Sequence, residues 1–295
     1  MSEQTAQSGL EGGAPLSFRV NARRSFGAFL RREGFGVIAV FILIIVILGP
    51  MSSVVLWAFA ERWTYPSLIP TTWGLKFWSD TFSRPDIVAA FPLSIGLAVI
   101  VTLASAIICL PAAYAFARIR FRGRQPLLLS FLATNAFPRF GLYVSIAAVF
   151  FRLNLVGTVT GVALIQLVNT LLLMIWIPTA AFQGVDRALE EAALDVGASR
   201  LRVFFQITLP LVLPALSAAV LLVFINTFYE SQGALIIGLP GVRTLPVLMY
   251  ALILQDVVVQ NGAILSLVLW IPSIVLLIFA QRLLRGGYLT AGFGV

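Results

Sequence analysis

Histidine is absent from this 295-residue chain, cysteine and lysine occur once each, and only 11% of residues are charged. Each scarcity removes a class of chemistry. A lone cysteine, Cys109, cannot form an intrachain disulfide, and without histidine no His/Cys metal site can be assembled. Cys109 lies inside an apolar run, where it faces lipid or serves as packing bulk. The single lysine, Lys76, follows Trp73-Gly74-Leu75, so the glycine-rich loop that cradles nucleotide phosphates is missing. No Ser/His, paired-aspartate or metal set is available, so the chain is expected not to be an enzyme. The arginines are dispersed between apolar runs rather than gathered into a patch, which argues against nucleic acid. The first thirty residues are polar and basic and show no cleavable-signal pattern.

What is abundant is hydrocarbon. Apolar residues make up 60% of the sequence and the mean hydropathy is +0.99. A soluble domain carries about a quarter charged residues, so lipid is the expected solvent. A helix crosses a hydrocarbon core of roughly 30 Å with about 20 residues. Six stretches qualify, near 35–59, 89–117, 127–151, 158–180, 211–230 and 261–281. The expected fold is an all-α, polytopic bundle of six transmembrane helices. Residues 1–34 form an N-terminal tail, 35–285 the membrane domain with a polar loop at 182–210, and 286–295 a C-terminal tail. Pro50, Pro92, Pro111, Pro138, Pro178 and Pro272 are expected to break several spans.

Positive charge orients the bundle. Arg19, Arg23, Arg24, Arg31, Arg32, Arg118, Arg120, Arg122, Arg124, Arg187, Arg200, Arg202, Arg282 and Arg285 fall on one side of the six spans. Arg62, Lys76, Arg84, Arg152 and Arg243 fall on the other, with Arg139 inside the third span. The positive-inside rule then puts both termini and the 182–210 loop in the cytoplasm. Arg118 and its neighbours read as topology anchors. The outer segment after the first span carries Trp57, Trp63, Tyr65, Trp73, Phe77 and Trp78, either an interfacial belt or a docking surface.

The 182–210 loop is the polar interruption that stands out. Asp186 can cap a short helix by accepting from first-turn amides. Leu189, Ala192, Ala193 and Val196 recur at helical spacing as a small apolar face, and Arg187, Glu190, Glu191 and Asp195 occupy the others. Gly197 can end the helix in the left-handed conformation. Ser199 can cap a second helix bearing Leu201, Phe204 and Phe205, before Pro210 and Pro214 restart the chain into the fifth span. The expectation is a rigid knob, apolar beneath and charged on top; the alternative is a hairpin lying flat on the membrane.

Glu191-Ala192-Ala193, the spacing to Gly197 and the ending Ile207-Thr208-Leu209-Pro210 resemble the EAA loop of permease subunits of bacterial ATP-binding-cassette (ABC) importers. Ala112-Ala113-Tyr114-Ala115-Phe116-Ala117-Arg118, Phe121-Arg122-Gly123 and the tail Leu289-Thr290-Ala291-Gly292 resemble the maltose-type group. The resemblance implies the type I importer permease fold in a bacterial inner membrane. It makes the loop a coupling helix that fits a cleft in a separate ATPase, with Glu190, Glu191, Ala192, Ala193, Asp195, Gly197, Ala198, Leu201, Phe205, Ile207, Leu209 and Pro210 as coupling residues and Glu191 and Gly197 critical. Two ABC ATPase subunits would hold the ATP and Mg, with no cofactor on this chain. A second permease subunit, in a heterodimer with a longer sister or alternatively a homodimer, and an extracellular solute-binding protein complete the implied assembly.

Polar groups inside spans are costly and mark pathways: Asn135, Arg139, Asn169, Asn226, Tyr229, Glu230 and Gln232 are the candidates for solute contact, against helix–helix hydrogen bonding. The maltose-type segments favour a sugar, oligosaccharide or polyol. Leu110-Pro111-Ala112-Ala113-Tyr114 and the 238–250 run also resemble polyamine and organophosphonate permeases, and Pro92-Leu93-Ser94 stands where the sugar group has Asn-Ser. An ion-coupled secondary transporter is the rival of a different class, though no internal repeat with matched broken helices is evident.

Overall fold

A computed structural model describes residues 22–133, 137–255 and 258–285. The chain divides into two compact units, residues 1–52 and 53–295. The described part of the first is helical and belongs to α1 (Ala22–Phe59). The second unit begins with the end of that helix and a two-stranded antiparallel ribbon, β1 (Ala60–Arg62) and β2 (Thr72–Trp73). Helices α2 (Lys76–Phe82), α3 (Pro85–Arg118), α4 (Arg124–Ala133), α5 (Arg139–Arg152) and α6 (Val159–Gly184) follow. After them come α7 (Arg187–Asp195), α8 (Arg200–Val203), α9 (Leu209–Phe228), α10 (Leu245–Gln255) and α11 (Val259–Arg285). Single π-helical turns lie at Phe204–Thr208 and Ala234–Gly238.

Among the described residues, five helices are long and apolar enough to cross a bilayer: Gly36–Phe59, Pro85–Arg118, Val159–Gly184, Arg200–Phe228 and Val259–Phe279. These agree with five of the six expected spans. The expected third span, 127–151, is instead two shorter helices, α4 and α5, parted before Arg139. Pro138 precedes the first residue of α5, where its fixed φ is compatible with a helix start. The other prolines do not break their helices. α1 runs through Pro50, α3 through Pro92 and Pro111, α6 through Pro178 and α11 through Pro272. Neighbouring helices and small local adjustments can satisfy the carbonyl that each proline frees.

Helices α3, α6 and α9 pack on one another and form the centre of the second unit. Their contact is tied by polar groups as well as by bulk. Thr170 donates to Ser105 at 2.7 Å, and Thr179 to the Ala113 carbonyl at 3.4 Å. Small hydroxyl residues let membrane helices approach closely while pairing their own polar atoms. Cys109 is buried with Phe116, Met174, Ile175, Ala219 and Val223, so it is packing bulk rather than lipid-facing. At the ribbon end, Trp57 packs against Trp63 with the rings tilted and 4.6 Å apart, and Trp78 donates its indole N–H to the Ala58 carbonyl at 2.8 Å. The aromatic segment is therefore partly a packed cluster, while Tyr65 and Trp73 stay exposed.

Candidate translocation and coupling site

The 182–210 loop is built from two capped turns. Asp186 Oδ1 accepts from the Ala188 amide at 2.9 Å and starts α7; Ser199 Oγ accepts from the Arg202 amide at 3.3 Å and starts α8. Between them Gly197 has φ +87°, a conformation L side chains avoid. The Gly197 amide donates to the Leu194 carbonyl at 2.9 Å and the Ala198 amide to Ala193 at 3.0 Å. This pair of bonds is the Schellman arrangement, which satisfies the last carbonyls of α7 and fixes the exit angle.

Two expectations about this loop are corrected. The second helix is not a separate element: α8, the π turn and α9 run on without a break from Arg200 to Phe228. Pro210 cannot donate to the preceding turn and its ring would crowd the Gln206 carbonyl of a regular helix. The wider π turn ending at Thr208 relieves that conflict. The apolar residues of α7 and its C-cap are also not beneath it. Leu189 is 51% exposed and Val196 85%, and farther along Leu201 is 73% and Phe205 61% exposed. Glu191, Ala192 and Asp195 are exposed as well, whereas Glu190, Ala193, Ala198 and Ile207 are half-buried and Pro210 is exposed. Leu209 is half-buried against the core of Ala117, Phe182, Val212 and Leu216, which makes it packing for the bundle.

Two residues that sequence reasoning did not select join this loop to the bundle. Arg118, expected to be a topology anchor, is only 9% exposed and pairs with Glu190 at 3.0 Å. Thr208 donates to the same carboxylate oxygen, Glu190 Oε1, at 2.6 Å. No local signal identifies either, since their partner is 72 residues from one and 18 from the other.

At the other end of α6 and α9 lies a cavity of about 400 Å³ lined by Arg139, Asn169, Ile225, Asn226, Tyr229, Glu230, Ser231 and Gln232. Six of the seven pathway candidates are gathered there; the seventh, Asn135, lies outside the described residues. Asn169 of α6 donates to Asn226 Oδ1 of α9 at 2.8 Å, an amide pair on the cavity wall. The Tyr229 hydroxyl donates to the Leu269 carbonyl of α11 at 2.8 Å. Glu230 is buried, with its two oxygens taking the amides of Gly233, at 2.6 Å, and Ala234, at 3.1 Å. It caps the start of the second π turn, so much of its acceptor capacity is used by the backbone.

Residues 109–286 match the family model described as the binding-protein-dependent transport system inner membrane component. The chain belongs to that family. A trehalose/maltose transport system permease protein of Thermococcus litoralis is 30% identical to this permease over 265 residues, 87% of this chain and 94% of that one. A putrescine transport system permease protein of Escherichia coli is 28% identical over 210 residues, 69% of this chain and 75% of that one. Among solved structures, a bacterial ABC transporter involved in the import of the acidic polysaccharide alginate aligns with a TM-score of 0.59 at 18% identity, covering 90% of this permease and 98% of that chain. The fold is accordingly that of an ABC importer permease.

Proposed function

We propose that this permease forms half of the membrane pathway of an ATP-driven importer for a sugar, oligosaccharide or polyol. The observation that carries the ATP-driven part is the loop itself. A stiff, doubly capped bend leaves Leu189, Val196, Leu201 and Phe205 exposed, with Glu191 exposed on the same loop. Exposed apolar side chains on one rigid loop, with a carboxylate among them, fit a protein partner better than water. The partners proposed are two ABC ATPase subunits carrying ATP and Mg, a sister permease in a heterodimer, and an extracellular solute-binding protein. The basic residues Arg118, Arg120, Arg122, Arg124, Arg187, Arg200 and Arg202 share the loop's end of the bundle, which supports a cytoplasmic loop in a bacterial inner membrane.

The cavity supports a neutral, hydroxyl-rich solute. Among the described residues it offers an amide pair, a tyrosine, a glutamine and one arginine, and the one carboxylate among them is engaged by two backbone amides. A polyamine would require free carboxylates there. The trehalose/maltose relative supports the same reading; the putrescine relative keeps the polyamine reading as its competitor. The test is a thermal-shift screen of the cognate binding protein against sugars, polyols, polyamines and phosphonates, followed by uptake into proteoliposomes holding the whole complex. Stabilisation by polyamines alone would reverse the solute assignment. Uptake by this chain without an ATPase, driven by an ion gradient, would reverse the energy assignment.

A further inference from the structure

The coupling helix α7 is bordered by solvent on most of its surface, and its side-chain attachment to the bundle is concentrated at one residue. Glu190 Oε1 receives Arg118 Nη2 at 3.0 Å and Thr208 Oγ1 at 2.6 Å. The same Arg118 Nη2 donates to the Val185 carbonyl at 3.0 Å, at the exit of α6. Arg118 is the last residue of α3, Val185 directly follows α6, and Thr208 directly precedes α9. One carboxylate therefore joins α7 to the ends of all three helices that make the bundle centre. The side chains of Arg118 and Glu190 are 9% and 18% exposed, so water screens their attraction poorly. Beneath them, Tyr114 of α3 meets Phe182 of α6 and Phe204 of the π turn edge-on, both at 5.3 Å. The polar contact thus adjoins two edge-to-face aromatic pairs that tie α3 to α6 and to the π turn.

From the other ends of these helices the geometry continues. Thr208 and Asn226 are separated by 18 residues of one helix, about 27 Å at ~1.5 Å per residue. Asn169 lies 16 residues before Val185 on α6, about 24 Å by the same rise. The two helices whose amides meet at the cavity are the two whose opposite ends are joined, through Arg118 and Glu190, to α7.

We infer that Arg118, Glu190 and Thr208 are a transmission joint, which makes α7 move as one body with α3, α6 and α9 and so carries force from an attached ATPase to the cavity. Arg118 and Thr208 are positioning residues in this account; they act through Glu190 and touch neither solute nor nucleotide. The inference rests on the proposed ATP-driven reading. Loss of the joint leaves α7 hinged at its two caps, so that ATP is hydrolysed with less movement of the spans.

The test is the ratio of ATP hydrolysed to solute imported, in proteoliposomes containing the complete transporter. Arg118→Gln and Thr208→Val should each raise that ratio at least threefold while the ATPase still copurifies. The double variant Arg118→Gln/Glu190→Gln should be no worse than the worse of its two single variants, because both act through one contact. If Arg118→Gln fails to accumulate, Thr208→Val decides, since it keeps the shape of the side chain and removes only one donor. A wild-type ratio in the accumulating variant, or effects that multiply in the double variant, would overturn the joint. Failure of the ATPase to copurify with the unaltered chain would overturn the ATP-driven reading instead.

Discussion

Replacement of Gly197 isolates the contribution of one backbone angle to coupling. The residue has φ +87°, and a Cβ built on it would meet no atom within 4 Å. Crowding by neighbours therefore adds nothing, and the cost of a side chain is the local left-handed penalty alone. For alanine that penalty is roughly 1–2 kcal/mol, which changes the ratio of bent to unbent loop by a factor of about 5–30. Asparagine tolerates this region and should cost less, valine more because its β-branch crowds the following carbonyl. Proline is the extreme case. It holds φ near −65° and lacks the N–H that bonds the Leu194 carbonyl, so the bend cannot form and the penalty reaches about 3 kcal/mol or more. Uptake should fall in the order Gly, Asn, Ala, Val, Pro, with membrane insertion unchanged and copurification of the ATPase falling in parallel. The assay is initial solute uptake by cells carrying each variant at matched membrane abundance. Wild-type uptake by Gly197→Val, or a Gly197→Asn variant worse than Gly197→Ala, would refute the claim that the fixed angle is what matters.

Three further outcomes are expected. Glu191→Lys reverses the charge of an exposed side chain on α7, and should abolish uptake and release the ATPase in a pull-down while the permease still inserts. Asn169→Leu or Asn226→Leu removes the 2.8 Å amide pair from the cavity wall, worth about 0.5–1.5 kcal/mol; uptake should drop by a factor of about 2–10, by the usual conversion of 1.4 kcal/mol per decade, with the solute affinity of the binding protein unaltered. Glu230→Ala strands the buried amides of Gly233 and Ala234, each costing about 1–3 kcal/mol; the detergent-solubilised permease should melt several degrees lower, and Glu230→Gln should recover part of the loss by keeping one acceptor.

Five of the spans were legible because a long hydrocarbon run has few alternatives to a helix in lipid. The third was not legible as two helices. Its apolar residues continue on both sides of Pro138, and hydropathy averages over the break that the backbone makes there. α10 was missed for the opposite reason: at 11 residues it is too short to register as a span. What places it is tertiary. The Leu245 amide at its start donates to Ser94 of α3 at 2.8 Å, and Leu245, Leu248 and Leu252 are buried with Leu265 and Leu269 of α11.

The functional residues divide along a similar line. Asn169, Asn226 and Glu230 could be selected one at a time, because a polar side chain in an apolar run is anomalous whatever its partner is. Arg118 could not, because an arginine closing an apolar helix has an ordinary explanation at the headgroups. The same holds for Thr208, a small hydroxyl residue of the kind membrane helices commonly carry. Their role is a property of the pairing with Glu190, and a pairing across 72 residues leaves no mark in either local sequence. The apolar residues of α7 misled in a third way: helical periodicity identifies an apolar face but not the direction in which it points. Leu189 and Val196 were expected beneath the loop, yet both are exposed, while Glu190 makes the ion pair with Arg118 at the end of α3. On the transmission-joint account, this half-buried carboxylate governs which face of the loop remains for a partner. Any substitution that frees Glu190 should also let α7 roll and cover Leu189 and Val196, and a cysteine at Val196, reacted with a water-soluble maleimide in an otherwise cysteine-free chain, would label more slowly in an Arg118→Gln background. Equal labelling rates would show that the caps alone orient the helix.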